Sequence, residues 1–193
     1  MNKSIKIAVV MIIGFGIGIG WSVLSHSNRS INLAKTPVET VSKIDIPDSF
    51  RSILDQSITE YFKMQQALSQ DALSTTKQAA SQLSVHLSQA VNVDAEIKAI
   101  WTSETPPIQT ALGIIQDAPT LTEARKAFET LSHHIETLVI HYGGPKTYHI
   151  NKYYCPMVDG DRGAYWLQHT SGTQNPYFGS QMFRCGGVVK TLQ

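Results

Sequence analysis

The sequence predicts an all-α fold: an antiparallel four-helix bundle with a small irregular C-terminal cap, preceded by an N-terminal signal or anchor segment. Apolar residues recur every three or four positions over four stretches between residues 48 and 142, which is the spacing of one buried helix face. Short connections join these stretches, as in an antiparallel bundle. After Lys146 the helical pattern gives way to aromatic residues and glycines, which marks the start of the cap.

Residues 1–26 are predicted to be a signal peptide or a membrane anchor. Lys3 and Lys6 precede an apolar run from Ile7 to Leu24, and a charged start followed by an apolar stretch is typical of an export signal. The run is also about long enough to span a bilayer, so both alternatives stay open. In either case the rest of the chain is expected outside the cytoplasm, where a disulfide can form. Residues 27–47 are polar and form a predicted linker.

The four helices have recognisable start and stop signals. Asp48 is predicted to cap the first helix, the second starts near Asp71, and Asp94 caps the third. Thr120 caps the fourth helix, and Glu123 three residues later completes a capping box. Their predicted buried positions include Phe50, Leu54, Ile58, Tyr61, Leu68, Leu83, Ile97, Trp101, Ile108, Leu112, Phe128, Leu131, Ile135 and Leu138.

Prolines and glycines mark a predicted helix break and a predicted helix end in the second half of the bundle. The pair Pro106-Pro107 is expected to break or kink the third helix, because proline lacks an amide donor and clashes with the preceding turn. The run from Gly143 to Pro145 ends the fourth helix. Residues 48–145 therefore form the predicted bundle and residues 146–193 the cap. The cap is too small to hold a core alone, so we expect it to pack on the bundle through Trp166, Tyr177 and Phe178.

Composition excludes several classes of function. The chain has 193 residues with a formal net charge of +1, so no strong field attracts nucleic acid. It has no phosphate-binding loop, hydrolase elbow or C-x-x-C pair, and we predict that it is not an enzyme. His133, His134, Glu136 and His141 lie on one predicted helix, but they lack the four-residue histidine spacing of the helical zinc motif. A solvated helix face accounts for them.

Both cysteines of the chain lie in the cap, and each has a methionine close by. Met157 follows Cys155 by two residues, and Met182 precedes Cys185 by three. Thiolate and thioether sulfurs are soft donors that select Cu(I)-like ions over hard cations. The residue types alone leave a second interpretation open, in which the cysteines form a disulfide that staples the cap and the methionines fill a small core.

The cap sequence resembles the DUF3347 family of bacterial envelope proteins, whose biochemical activity is unknown. The resemblance covers roughly Ser49 to the end of the chain, and its specificity is concentrated after His149. The motifs that carry it are Cys155-Pro156-Met157, Gly163-Ala164-x-Trp166-Leu167, Asn175-Pro176-Tyr177-Phe178-Gly179, Met182 and Cys185-Gly186.

The resemblance implies a soft-metal role, because this domain also occurs fused to, or encoded beside, periplasmic adaptor subunits of copper and silver efflux pumps. It favours a periplasmic protein that binds Cu(I) or Ag(I) as a carrier or accessory to efflux, with an efflux-pump adaptor as partner. Its metal ligands would be Cys155, Met157, Met182 and Cys185. The alternative is a disulfide-stapled structural or interaction module of the cell envelope that binds no metal.

Overall fold

The computed structural model describes residues 43–193. The predicted signal or anchor segment and most of the predicted linker lie outside these residues. Four helices come first: α1 (Asp48–Ser69), α2 (Leu73–Leu87), α3 (Ala95–Asp117) and α4 (Leu121–Tyr142). Within this described part, no helix combines the length and apolarity needed to cross a bilayer.

The C-terminal segment contains a small antiparallel sheet that the all-α prediction did not include. Its strands are β1 (Asn151–Cys155), β2 (Ala164–Gln168) and β3 (Gly187–Thr191), in the order β2-β1-β3, with a short 3₁₀ helix at Gly179–Gln181. The prediction is therefore correct for the four helices and incomplete for the cap. The last strand returns beside the first, so β1 forms the centre of the sheet.

The sheet packs against the bundle through its strand β2. Neighbouring helices pack in chain order, and β2 contacts both α1 and α4. The fully buried Tyr61 of α1 joins these elements: its hydroxyl lies 2.9 Å from Ser132 Oγ of α4 and accepts the Leu167 N–H of β2 at 2.9 Å. Burial raises the pKa of Tyr61, so the phenol stays protonated and keeps these bonds. The cap thus shares one core with the helices.

An ion pair with its hydrogen bonds also holds the cap against the bundle. Asp71, at the turn between α1 and α2, has a φ of +59° and pairs with Arg125 of α4. Arg125 also donates to the carbonyls of Leu68 and Pro176, at 2.9 and 2.8 Å. Because the other Asp71 oxygen accepts the Ser180 N–H at 3.1 Å, the segment around the 3₁₀ helix is held against two helices.

Of the two predicted effects of Pro106-Pro107, a break or a kink, the break does not occur, because α3 continues through both prolines from Ala95 to Asp117. Each proline removes one intrahelical bond. The carbonyls that lose their donors belong to Thr102 and Ser103, which are exposed, so water can replace the missing amides. Buried Trp101 and Ile108 hold the helix to the core on both sides of the pair.

The predicted cap of α4 is confirmed, whereas the other helix starts use no side-chain cap. The Glu123 N–H donates to Thr120 Oγ1 at 3.3 Å. Asp94 precedes α3, but its side chain accepts no capping hydrogen bond, and α1 starts after Pro47 without one. Packing of their apolar faces therefore accounts for most of the stability of these helices.

His169, just after β2, gives the fold a pH dependence. Its ring stacks on Tyr148 at 4.2 Å between centroids and lies 4.7 Å from Phe62. Burial lowers the pKa of His169 below its ordinary value of 6.5, so the folded protein holds the imidazole neutral. As the pH falls, the unfolded chain takes up the proton before the folded protein does. The contribution of His169 to the free energy of unfolding is therefore complete above pH 6.5 and is lost as the pH falls from there through the lower pKa of the folded state.

We therefore expect the free energy of unfolding to fall between pH 7.5 and pH 5, and to fall less in His169→Phe. Phenylalanine keeps an aromatic ring between Tyr148 and Phe62 but cannot bind a proton. Denaturant titrations at several pH values measure the difference. An identical pH dependence in the wild type and His169→Phe would contradict this role for the imidazole.

Candidate metal site

The structure brings Cys155 and Cys185 together as free thiols. Cys155 is the last residue of β1 and is fully buried, whereas Cys185 lies just before β3 and is partly exposed. Pairing of the two strands places Tyr154 opposite Gly187, so the cysteines flank the end of that pairing. Extending this antiparallel register by one residue sets Cys155 opposite Gly186, so the two cysteines lie next to each other beyond the last paired residues.

Gly186 allows this close approach. It has a φ of +102°, and a Cβ at this position would lie 2.6 Å from the Tyr154 carbonyl oxygen and 2.9 Å from Cη2 of Trp166. Only glycine fits such a position without strain. The glycine therefore lets the chain before β3 lie directly against β1 and over the Trp166 ring.

We expect Gly186→Ala to lower the free energy of unfolding by about 1–3 kcal/mol, the usual range for a residue forced into a sparsely populated backbone conformation. The neighbouring Gly187→Ala is the matched control, because a Cβ there meets no atom within 4 Å. Denaturant unfolding of both variants measures the contrast. Equal losses would show that the close approach at Gly186 does not constrain the fold.

Buried Asn175 supports the turn that carries Cys185. Its amide nitrogen donates to the Cys185 carbonyl at 3.0 Å, and its Oδ1 accepts the N–H groups of Tyr177 and Phe178 at 2.8 and 3.1 Å. The Cys185 N–H in turn donates to the Met182 carbonyl at 2.9 Å. The backbone around Cys185 is therefore fixed by polar contacts.

The two methionines occupy different surroundings. Met157 has 50% of its surface exposed, in the turn after β1. Met182 follows the 3₁₀ helix and is partly buried, with its carbonyl tied to Cys185. The strand pairing described above places the two cysteines next to each other. The four-residue ligand set of cysteines and methionines stays a prediction.

The surroundings of Cys185 favour its neutral thiol in the absence of a metal ion. Burial, with a further contribution from the neighbouring Cys155, raises the pKa of Cys185 to about 11. The Cys185 thiol is therefore protonated at neutral pH. Metals bind thiolates, so an ion that bound here would displace this proton.

An aromatic layer lies next to the thiols. Trp166 is fully buried, stacks on Tyr153 at 5.3 Å and meets Tyr177 edge-on at 6.0 Å. The predicted anchoring of the cap is confirmed for Trp166 and Tyr177, both buried, while Phe178 is partly buried. The Trp166 ring also lies close to Gly186, the residue after Cys185.

The remaining sequence candidates lie elsewhere. His134 of α4 binds Glu104 of α3 at 2.7 Å, and Glu136 binds Lys152 of β1 at 2.8 Å. His149 is exposed before β1. Between residues 43 and 193, no three or more histidine, cysteine, aspartate or glutamate side chains are grouped so that they could hold a metal ion.

Sequence reasoning missed the roles of Gly186 and Asn175. Both residues belong to the cap motifs, but their types alone give no indication that one permits a close approach and the other fixes a turn. The Gly186-Gly187 pair between Cys185 and two valines was the available signal, because glycine in a strand pattern often marks a close backbone approach.

Comparison with known proteins matches residues 58–147 to a family described as "Protein of unknown function (DUF3347)". The matched range runs from within α1 to just past the end of α4 and stops before β1, so Cys155 and Cys185 lie beyond it. Neither the curated proteins nor the solved structures contain a match to this chain.

Proposed function

Since the chain belongs to the DUF3347 family through residues 58–147, we propose that it binds Cu(I) or Ag(I) as a periplasmic carrier or accessory to heavy-metal efflux. Cys155 and Cys185 act as thiolate ligands, with Met157 and Met182 as thioether ligands. The neighbouring position of the two cysteines at the end of the β1–β3 pairing carries the proposal, because it supplies two soft donors at one place.

The donor chemistry supports a soft monovalent ion. Thiolates are charged and bind soft ions most strongly, so Cys155 and Cys185 supply most of the affinity. Thioethers are neutral, so Met157 and Met182 adjust selectivity. A structural zinc site needs four nitrogen, oxygen or sulfur ligands, usually cysteine and histidine, and the described residues 43–193 offer no such group of three.

The burial of the pair suits a carrier. Cys155 is closed off from solvent, while Cys185 and Met157 are accessible to different degrees. An ion can therefore arrive and leave from the Cys185 side, while the Cys155 side is buried. A carrier needs both properties, because it must protect the ion in transit and release it to a partner.

The proposed compartment and partner follow from the sequence. Export through residues 1–26 would place the domain in the periplasm, either released or anchored to the inner membrane. The partner would be an efflux-pump adaptor, as the family resemblance implies. The net charge of +1 gives no reason to propose a nucleic acid partner.

A Cu(I) titration against a competing chelator, under anaerobic reducing conditions, tests the proposal. We expect tight binding by the wild type and no tight binding by the double variant Cys155→Ser/Cys185→Ser. Met182→Leu should weaken binding less, because it removes a neutral ligand and leaves both thiolates. Equal affinity of the wild type and the double serine variant would refute the metal site.

The same neighbouring position of the two thiols favours a second candidate, a disulfide-stapled envelope module without a metal. A bridge between residues 155 and 185 would close a loop that contains most of the cap, and closing such a loop stabilises a fold by about 3–4 kcal/mol in the chain-entropy model. This candidate predicts that anaerobically purified protein has no free thiols, binds no Cu(I), and loses thermal stability on reduction.

A further inference from the structure

We propose that the Cys155–Cys185 pair is a redox-gated site. As a dithiol it binds the soft ion, and as a disulfide it cannot, so oxidation of the pair blocks loading of the metal. The metal half of this inference rests on the proposed function, whereas the disulfide half stands on the geometry of the pair alone.

The geometry allows the bridge to form within the native fold. The two cysteines lie next to each other, just beyond Tyr154 and Gly187, the last paired residues of two neighbouring strands. A disulfide requires its two Cβ atoms to lie close together, and Gly186 permits this by lying against the Tyr154 carbonyl. The chain has only two cysteines, so each has a single partner within the molecule.

The two thiols differ in access, which assigns their order of reaction. Cys185 is partly exposed and Cys155 is fully buried. An oxidant from solution therefore reaches Cys185 first. Cys155 then acts as the resolving thiol, since it is the neighbouring cysteine across the end of the strand pair.

The oxidant we name is a low-molecular-weight disulfide, and the exchange is balanced. The Cys185 thiolate attacks one sulfur of the disulfide, which releases one small thiol and leaves a mixed disulfide on Cys185. The Cys155 thiolate then attacks the Cys185 sulfur and expels the second small thiol. The two protein thiols lose two electrons and two protons, and the small disulfide gains them to become two thiols.

Metal binding and oxidation exclude each other because both use the same two sulfur atoms. An ion that occupies both thiolates leaves neither free to attack the small disulfide. The bridge in turn removes both ligands. An ion that binds the reduced pair and not the disulfide stabilises the reduced form. The ion therefore protects the pair from oxidation, and tighter binding gives stronger protection.

The test treats the reduced full chain with oxidised glutathione, with and without preloaded Ag(I), and follows the products by mass spectrometry. Ag(I) is the probe because oxidised glutathione does not oxidise it. The mass of the wild type should fall by two hydrogens as the intramolecular bridge forms, and Ag(I) should slow this reaction several-fold. Oxidised protein should bind no Ag(I) at the site until it is reduced again.

Matched variants separate the roles of the two thiols. Cys155→Ser should stop at a glutathione adduct on Cys185, because the resolving thiol is missing. Cys185→Ser should react much more slowly, because Cys155 is buried. Similar rates of glutathione addition in both variants would contradict the assigned order and overturn that step.

The outcomes also distinguish the gate from the proposed function. If the reduced wild type binds Ag(I) but forms no intramolecular bridge in oxidised glutathione, the gate is overturned and the proposed function stands. A bridge that forms in protein whose reduced form binds no Ag(I) would overturn the proposed function and the gate together.

Discussion

Replacing Phe128 with alanine should lower the free energy of unfolding by roughly 3–5 kcal/mol, the usual cost of removing a buried aromatic ring. Phe128 is fully buried on α4, stacks on Tyr61 of α1 at 5.2 Å and lies 6.0 Å from Tyr177 of the cap. The cavity would therefore open where the two helices and the cap meet. Denaturant unfolding measures the loss.

Lys126, two residues earlier on the same helix, is the matched control for Phe128. Its side chain is exposed, so Lys126→Ala should change stability very little. Small and equal losses at Phe128 and Lys126 would mean that the buried face of α4 is wrongly assigned.

Trp166→Ala should have an effect of similar size, roughly 3–5 kcal/mol, and should also weaken Cu(I) binding. Trp166 is fully buried in β2, and Gly186 lies against its ring. Removing the indole takes away the surface that supports the chain between Cys185 and β3. Unfolding and Cu(I) titration of the same variant measure both effects.

The neighbouring Tyr165→Ala serves as the control for Trp166→Ala. Tyr165 points away from the core on the same strand, with 46% of its surface exposed, so its loss should cost much less stability and leave Cu(I) affinity near that of the wild type. A larger loss in Tyr165→Ala than in Trp166→Ala would contradict the described orientation of β2.

The helices could be predicted from the sequence because their stability depends on a local, periodic pattern. The apolar stripe of α4 and the capping pair Thr120 and Glu123 are both visible within about twenty residues. Asp71 shows the limit of that reasoning. It was expected to begin α2, but its carboxylate binds Arg125 and Ser180 instead, and those partners lie far away in sequence.

The sheet could not be predicted because its strands are short and lack clear alternation. In β2 the three consecutive residues Trp166, Leu167 and Gln168 are all buried. Helices cover one face and the Tyr177–Gly186 region covers the other, so the period-two signal of a half-exposed strand is lost. Gln168 is satisfied only through local partners, including the Gln174 N–H at 3.1 Å.

The candidate site was predictable in composition but not in assembly. The paired cysteines and methionines, Cys155 with Met157 and Met182 with Cys185, are evident from residue types. The neighbouring position of Cys155 and Cys185 depends on β3 returning beside β1, a long-range pairing that no local pattern specifies. It also depends on the glycine at position 186, whose role follows from its close contacts.

X-ray absorption at the copper edge, on protein loaded with one equivalent of Cu(I), tests the central claim most directly because it identifies the atoms bound to the ion. We predict a first shell made of sulfur in the wild type, with at least two sulfur ligands, and loss of that shell in Cys155→Ser/Cys185→Ser. A first shell of nitrogen or oxygen in the wild type, or a sulfur shell that persists in the double serine variant, would contradict the assignment of Cys155 and Cys185 as the metal ligands.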